Sequence, residues 1–334
     1  MGGRASARLL EKRPGGSEAV SSRAAVIGGS GYVGSRLALS LASSGVETVV
    51  LDVAPAPEDI VGPCEVVECD IITGHGLEAL SGCDTVFLMA AALAKLGDAN
   101  PQWAWDLGIR GVVNVLGAAI RLVPVPRVVF PSTVAVYAPQ AETVPVPEAA
   151  LCGPVGLYAT SKLAGETIIA SACSCSSLQA FILRLFTIYG PGPSSGRRGH
   201  FVASWLERAA SGQPLTIFGD GSRTLDLTHI SDVLQACRLC IEAPPSPGRC
   251  STYNIGSGRA TPLATIARWI QEVNPSVTAI FKDDVKPSLI RPIGDISHAR
   301  QELGYQPTIF PEEGVKATAS QYFLQARAQS SGRH

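Results

Sequence analysis

The chain has 334 residues, 46% of them hydrophobic and 16% charged, which is enough apolar material for one large or two modest domains. Its 27 basic and 28 acidic side chains leave a net charge of −1, which argues against a polybasic nucleic-acid or membrane-surface protein. No apolar run reaches the ~18–20 residues of a spanning helix, and the composition excludes collagen-like, coiled-coil and wholly disordered chains.

Residues 1–22 are rich in Gly, Ser, Arg and Glu and lack an apolar stretch, so they are expected to form a flexible extension and not a secretory signal. Beyond them, short β-branched runs predict strands at 23–28, 47–52, 65–69, 85–89, 127–132 and 179–185. Segments of helical period lie between them at 32–44, 103–121 and 157–173. The strands are apolar at nearly every position, as in a parallel sheet covered on both faces. Their alternation with helices predicts an α/β fold, a Rossmann-like doubly wound parallel sheet. The loop from Gly190 to Gly196 marks a change of texture. A first domain is therefore expected over 23–188 and a smaller mixed α/β substrate domain over 189–330, with interleaving of the two left open.

The nine cysteines are odd in number and scattered, unlike a disulfide scaffold. The tightest pair, Cys237 and Cys240, falls in a helical stretch with no second pair or histidine beside it in sequence. Reduced thiols, no metal site and a soluble, cytoplasmic setting are expected.

Between the first strand and the first helix stands Gly28-Gly-Ser-Gly31-Tyr32-Val33-Gly34. Gly28 permits a tight turn, Gly31 a close approach of backbone to a pyrophosphate, and Gly34 close packing of helix on strand. The helix start then offers free N–H groups and a positive dipole end to phosphates. Asp52 closes the second strand, where a carboxylate accepts bonds from a ribose diol and repels a 2′-phosphate, favouring NAD over NADP. A cap or turn role is its alternative. Asp70-Ile71 is read equally as an adenine contact or a plain turn.

Tyr158 and Lys162 are four residues apart in a helical segment, so they share a face. A free tyrosine, with a pKa of about 10, is a poor base at neutral pH, and a neighbouring ammonium favours its phenolate. Ser132 and Thr133 end a strand and offer hydroxyls to share a substrate proton; strand-end hydrogen bonding is the alternative.

Taken together, the glycine turn, Asp52, Asp70-Ile71, Ser132-Thr133 and the Tyr158/Lys162 pair resemble the extended short-chain dehydrogenase/reductase family, in its nucleotide-sugar epimerase/dehydratase branch. The likeness covers about residues 23–323. It includes the stretches from Arg184 to Pro191, Pro214 to Gly221, Asp226 to Asp232 and Tyr253 to Gly258, and the residues around Asp295 and Leu303. The resemblance implies that Tyr158 takes a proton from a sugar hydroxyl, directly or through Thr133, while Lys162 bonds the nicotinamide ribose. Met89, Ala90 and Ala91 would lie against bound NAD. Thr216 and Phe218 would hold the uracil of a UDP-sugar, and Ser132, Thr133, Thr187, His200 and Phe201 would face the substrate. A homodimer built from the 103–121 and 157–173 helices is also implied.

Related 4,6-dehydratases carry an Asp-Glu pair after the catalytic Thr, and uronate decarboxylases a Glu; here Val134 and Ala135 stand in those places. Epimerisation is what remains. Thr187 resembles the uronate 4-epimerases, so UDP-glucuronate to UDP-galacturonate is the expected reaction. UDP-glucose 4-epimerisation is the close alternative, and a dehydrogenase acting on a non-sugar alcohol is a further one. Leu225 stands where the family has an Arg for the substrate phosphates; Lys286 and Arg291 are candidates to replace it, as are Arg223, Arg197 and Arg198.

Overall fold

The computed structural model describes residues 22–91, 99–139, 145–192, 200–283 and 292–331. The expected extension over 1–22 lies outside them apart from Ser22. Seven strands form the central sheet: β1 (Arg23–Ile27), β2 (Glu47–Asp52), β3 (Glu65–Glu68), β4 (Thr85–Leu88), β5 (Arg127–Thr133), β7 (Ala180–Leu185) and β11 (Cys250–Ile255). Their spatial order is β3-β2-β1-β4-β5-β7-β11 and every pairing is parallel. The doubly wound sheet read from the apolar strands is the observed one.

Both faces are covered, which is why these strands alternate so little. On one face lie α1 (Tyr32–Ser43) and α6 (Ile230–Glu242), with Leu37, Leu41, Val233 and Cys237 against Val26, Val50 and Leu183. On the other lie α3 (Val112–Ala119) and α4 (Leu157–Ser174), with Val115, Leu116 and Ile169 against Ile27, Leu88 and Phe130. The helix expected over 103–121 is interrupted. It begins as α2 (Pro101–Trp105), capped by the Asn100 side chain, widens into a π-turn at Asp106–Gly111, and resumes as α3.

The chain does not divide cleanly at residue 189. A smaller lobe contains β8 (Thr187–Tyr189), β9 (Leu215–Phe218), β10 (Thr224–His229), β12 (Ala260–Pro262) and β13 (Ala279–Lys282), with α5 (Phe201–Ala210), α7 (Leu263–Val273) and α8 (Pro311–Ser331). Tyr189, Trp205, Leu227, Ile266 and Val315 share its core. Yet α6 and β11, from beyond residue 189, return to the main sheet. A two-strand pairing of β6 (Pro145–Val146) with β14 (Ile293–Gly294) adds a further crossing.

The buried carboxylate of Asp226 on β10 joins these crossings. It accepts from the Ser257 N–H and hydroxyl, both at 2.7 Å, and from the Gly258 and Gly294 N–H groups, both at 3.1 Å. A buried carboxylate is tolerated when its lone pairs are filled in this way.

Candidate active site

In an open α/β sheet, ligands bind at the carboxyl ends of the strands where the strand order reverses. Here that point lies between β1 and β4, and the sequence motifs converge on it. Gly28 follows β1 with a φ of 81°, and a Cβ there would lie 2.6 Å from the Ala90 nitrogen after β4. At Gly34 a Cβ would lie 2.3 Å from the Gly28 carbonyl oxygen, so α1 packs on the turn only because this residue has no side chain. Asp52, at the end of β2, accepts from the Ser30 N–H and the Ala54 N–H, both at 2.9 Å. The carboxylate of Asp52 thus shapes the glycine turn, as the cap or turn reading expects, and stands at its rim.

Tyr32, Val33, Met89, Ala90 and Ala91 are all half-buried along this crevice. Asp70 Oδ1 accepts from the Ile72 N–H at 2.9 Å, a turn bond. The Ile71 side chain is buried against Gly111, so an adenine contact at this position falls to Asp70 or to the main chain.

Ala90, Ala91, Gly108, Val112, Phe130, Tyr158, Ser161 and Lys162 line one pocket. Gly108 of the π-turn forms its floor, where a Cβ would lie 2.7 Å from the Ser161 Cβ. Lys162 is only 5% exposed. Its Nζ donates to the Pro131 carbonyl at 2.7 Å and sits 4.4 Å from the centre of the Phe130 ring. Burial pulls its pKa down to about 7, against the opposing pull of Glu166 one turn further on. Thr133 ends β5 two residues beyond Pro131 and caps the turn Val134–Val136, its Oγ1 accepting from the Ala135 N–H at 3.3 Å.

Two expected substrate contacts are turned elsewhere. Ser132 is buried, and its hydroxyl donates to Glu166 Oε1, away from the pocket. Ser132 shares its strand face with Phe130 and points at α4, where the Glu166 carboxylate takes its hydroxyl. His200 caps α5, its Nδ1 accepting from the Ala203 N–H at 3.2 Å. That assigns the proton to Nε2, which donates to the Gly190 carbonyl at 3.0 Å. The ring lies 5.0 Å from that of Tyr32, whose carbonyl is held by Arg36 at 2.8 Å; Arg36 also reaches the Pro191 carbonyl at 2.8 Å. Burial lowers the His200 pKa to about 4, and the Arg36 cation adds to the effect. His200 therefore binds the lobes to each other, with both ring nitrogens engaged.

Thr187 is half-buried on β8, paired with Leu227. Thr216 and Phe218 lie on β9, Phe218 half exposed, in register with Ile280 and Lys282 of β13. Phe201 starts α5 with its ring 4.7 Å from that of Trp205. Lys286, Arg291, Arg197 and Arg198 lie outside the described residues. Glu166 and Arg184 were not singled out as site residues from sequence. The signal was there: Glu166 continues the four-residue spacing from Tyr158 to Lys162 along one helix face.

Among the described residues no helix is long and apolar enough to cross a membrane, and no cluster of His, Cys, Asp and Glu could hold a metal ion. The chain is 28% identical to a UDP-glucose 4-epimerase of Azospirillum brasilense, over 90% of this chain and 92% of that one. It is 26% identical to UDP-glucuronic acid decarboxylase 1 of Arabidopsis thaliana, over 90% of this chain and 69% of that one. Among solved structures, UDP-glucose 4-epimerase of Thermotoga maritima with UDP-glucose superposes with a TM-score of 0.81 at 25% identity, covering 91% of this chain and 99% of that one. MoeE5 in complex with UDP-glucuronic acid and NAD superposes with a TM-score of 0.79 at 25% identity and the same coverage. Residues 24–256 match the family described as the NAD dependent epimerase/dehydratase family. With that match, and with a glycine turn at the start of α1 that only residues without a Cβ can form, the chain belongs to the NAD-dependent epimerase/dehydratase family and its cofactor is NAD.

Proposed function

We propose that the protein is a UDP-sugar 4-epimerase, with UDP-glucose and UDP-galactose as its leading substrate pair. The observation that carries this reading is the make-up of the pocket. Tyr158 and Lys162 line it together, Lys162 holds the Pro131 carbonyl two residues before Thr133, and Val134 and Ala135 follow where dehydration or decarboxylation would need an acid. UDP-glucose epimerases among its relatives and solved neighbours support the neutral hexose.

NAD, when bound, supplies the reversible hydride acceptor for C4 of the sugar. The turn that Gly28 and Gly34 make possible would hold its pyrophosphate at Gly31 and the start of α1, and Asp52 would meet the adenosine ribose. Tyr158 takes the proton of the 4-hydroxyl and later returns it; the hydride taken from C4 would come back to the opposite face, which inverts that carbon and leaves the net reaction redox-neutral. Thr133 accepts from Ala135 and gives its own hydroxyl proton to the sugar oxygen, fixing that oxygen beside Tyr158. Lys162, kept near its titration point by burial, supplies the local positive charge that favours the phenolate. Thr216 and Phe218 on β9 present a hydroxyl and an exposed ring suited to a uracil.

A second reading, UDP-glucuronate to UDP-galacturonate, is favoured by the Thr187 hydroxyl on β8, a neutral donor suited to a C5 carboxylate, and by the likeness to MoeE5. Proton NMR of the purified protein with each substrate separates the two, because the H-1 and H-4 couplings report C4 configuration. UDP-galactose formed from UDP-glucose supports the leading reading; UDP-galacturonate formed only from the uronate replaces it; no change in either overturns both.

A further inference from the structure

Behind the pocket lies a buried ionic cluster for which the reading above has no use. Glu166 is 5% exposed and Arg184, on β7, is 7% exposed. Arg184 Nε reaches both Glu166 oxygens, at 3.1 and 3.2 Å, and Nη2 reaches Oε2 at 2.7 Å. Ser132 adds its hydroxyl to Oε1, and Ser132 and Arg184 are register partners across β5 and β7. Burying an ion pair so completely costs desolvation that its own attraction often fails to offset. A stability role is thus a weak explanation for it, and its placement suggests another.

Two consecutive residues of β5 are tied to one face of α4. Pro131 accepts from Lys162, and Ser132 donates to Glu166 one helical turn later. The next residue is Thr133. We propose that Glu166 is a positioning residue of the reaction, setting the place of Thr133 through Ser132 and the electrostatic surroundings of Lys162 through the buried pair with Arg184. This rests on the epimerase reading for its link to turnover, though not for its effect on Lys162.

Among the described residues, the charged and titratable groups around this centre are Tyr158 and Glu166 on α4, Arg184 on β7, Cys250 on β11, Tyr137 after β5, Glu148 after β6, Cys152, and the Asp106–Arg110 pair of the π-turn. Tyr137 lies under the Arg184 guanidinium, 4.8 Å away, and donates to Asn254 Oδ1 at 2.6 Å. Replacing Glu166 by Gln removes an anion next to Lys162 and leaves the Arg184 cation uncompensated. Both changes push the Lys162 proton off, so the two effects add.

The test uses the full-length, NAD-loaded protein. Lys162 Nζ is followed by nitrogen NMR, its signal assigned by its loss in Lys162→Met. In Glu166→Gln the midpoint of Lys162 titration is expected to fall by about one unit or more, a tenfold loss of proton affinity. The alkaline limb of epimerase activity shifts down by the same amount. A variant that only loosened the fold would lower activity equally at every pH. Ser132→Ala keeps the ion pair and, if Glu166→Gln fails to fold, carries the test: kcat falls while the Lys162 midpoint stays in place. An unchanged midpoint in Glu166→Gln, or an unchanged kcat in Ser132→Ala, overturns the proposal. Should the wild type epimerise nothing, the functional reading fails, while the Lys162 midpoint still decides the role of Glu166.

Discussion

Acid should loosen the grip between the lobes through one histidine. His200 is neutral in the fold because its ring is buried, because Nδ1 must accept from Ala203, and because Arg36 stands close by. Its pKa falls from 6.5 to about 4. A base with a depressed folded pKa contributes its full stability above the unfolded value of 6.5 and loses it as the pH falls from there toward 4. The loss from this one group amounts to about 2 kcal/mol at pH 5 and about 3 kcal/mol at pH 4. His200→Asn is the matched control, since asparagine also caps a helix and carries no titrating ring. Urea unfolding of both proteins at pH 7.5 and pH 5 measures the difference, and background carboxylates cancel between them. The wild type is expected to lose about 2 kcal/mol more than the variant. Equal losses would refute the assignment of His200 as a neutral, doubly engaged cap.

Other outcomes follow from the same geometry. Tyr158→Phe keeps the glycine cradle, so NAD binding measured by calorimetry is retained while turnover falls by about 10²- to 10⁴-fold; full activity removes Tyr158 from the mechanism. Gly34→Ala forces a methyl group to within 2.3 Å of the Gly28 carbonyl oxygen, and both NAD binding and thermal stability should drop together. The homodimer implied by the family resemblance predicts a light-scattering mass twice that of one chain at micromolar concentration; a single-chain mass removes it.

The parts of the site that sequence revealed are those written in local chemistry. The glycine turn is legible because the positive φ of Gly28 and the close packing of Gly34 on the Gly28 carbonyl are set within seven residues of chain. The Tyr158/Lys162 pair is legible because helical spacing places both on one face. Apolar strands exposed the parallel sheet for the same reason, since burial on both faces leaves no alternation to read. Where sequence misled, distance in the chain was usually responsible. The ring of His200 is claimed by Tyr32 and Gly190, contacts that a helix-cap pattern does not disclose. The return of β11 to the sheet depends on pairing with β7 some seventy residues earlier. Ser132 is a further case: its hydroxyl is taken by Glu166, 34 residues further along the chain, which nothing in the strand itself discloses. The π-turn at Asp106–Gly111 left no recognised mark, because one extra residue in a helix does not disturb an apolar pattern this dense.

The four-donor cradle of Asp226 has a consequence for how the smaller lobe is held. By gripping Ser257 and Gly258 on one side and Gly294 on the other, a single carboxylate fastens both ends of a long excursion to the same strand. That excursion carries β12 and α7, whose Leu263, Ile266 and Ile270 join the core of the smaller lobe, so one buried carboxylate ties the packing of that lobe to the strand on which it sits.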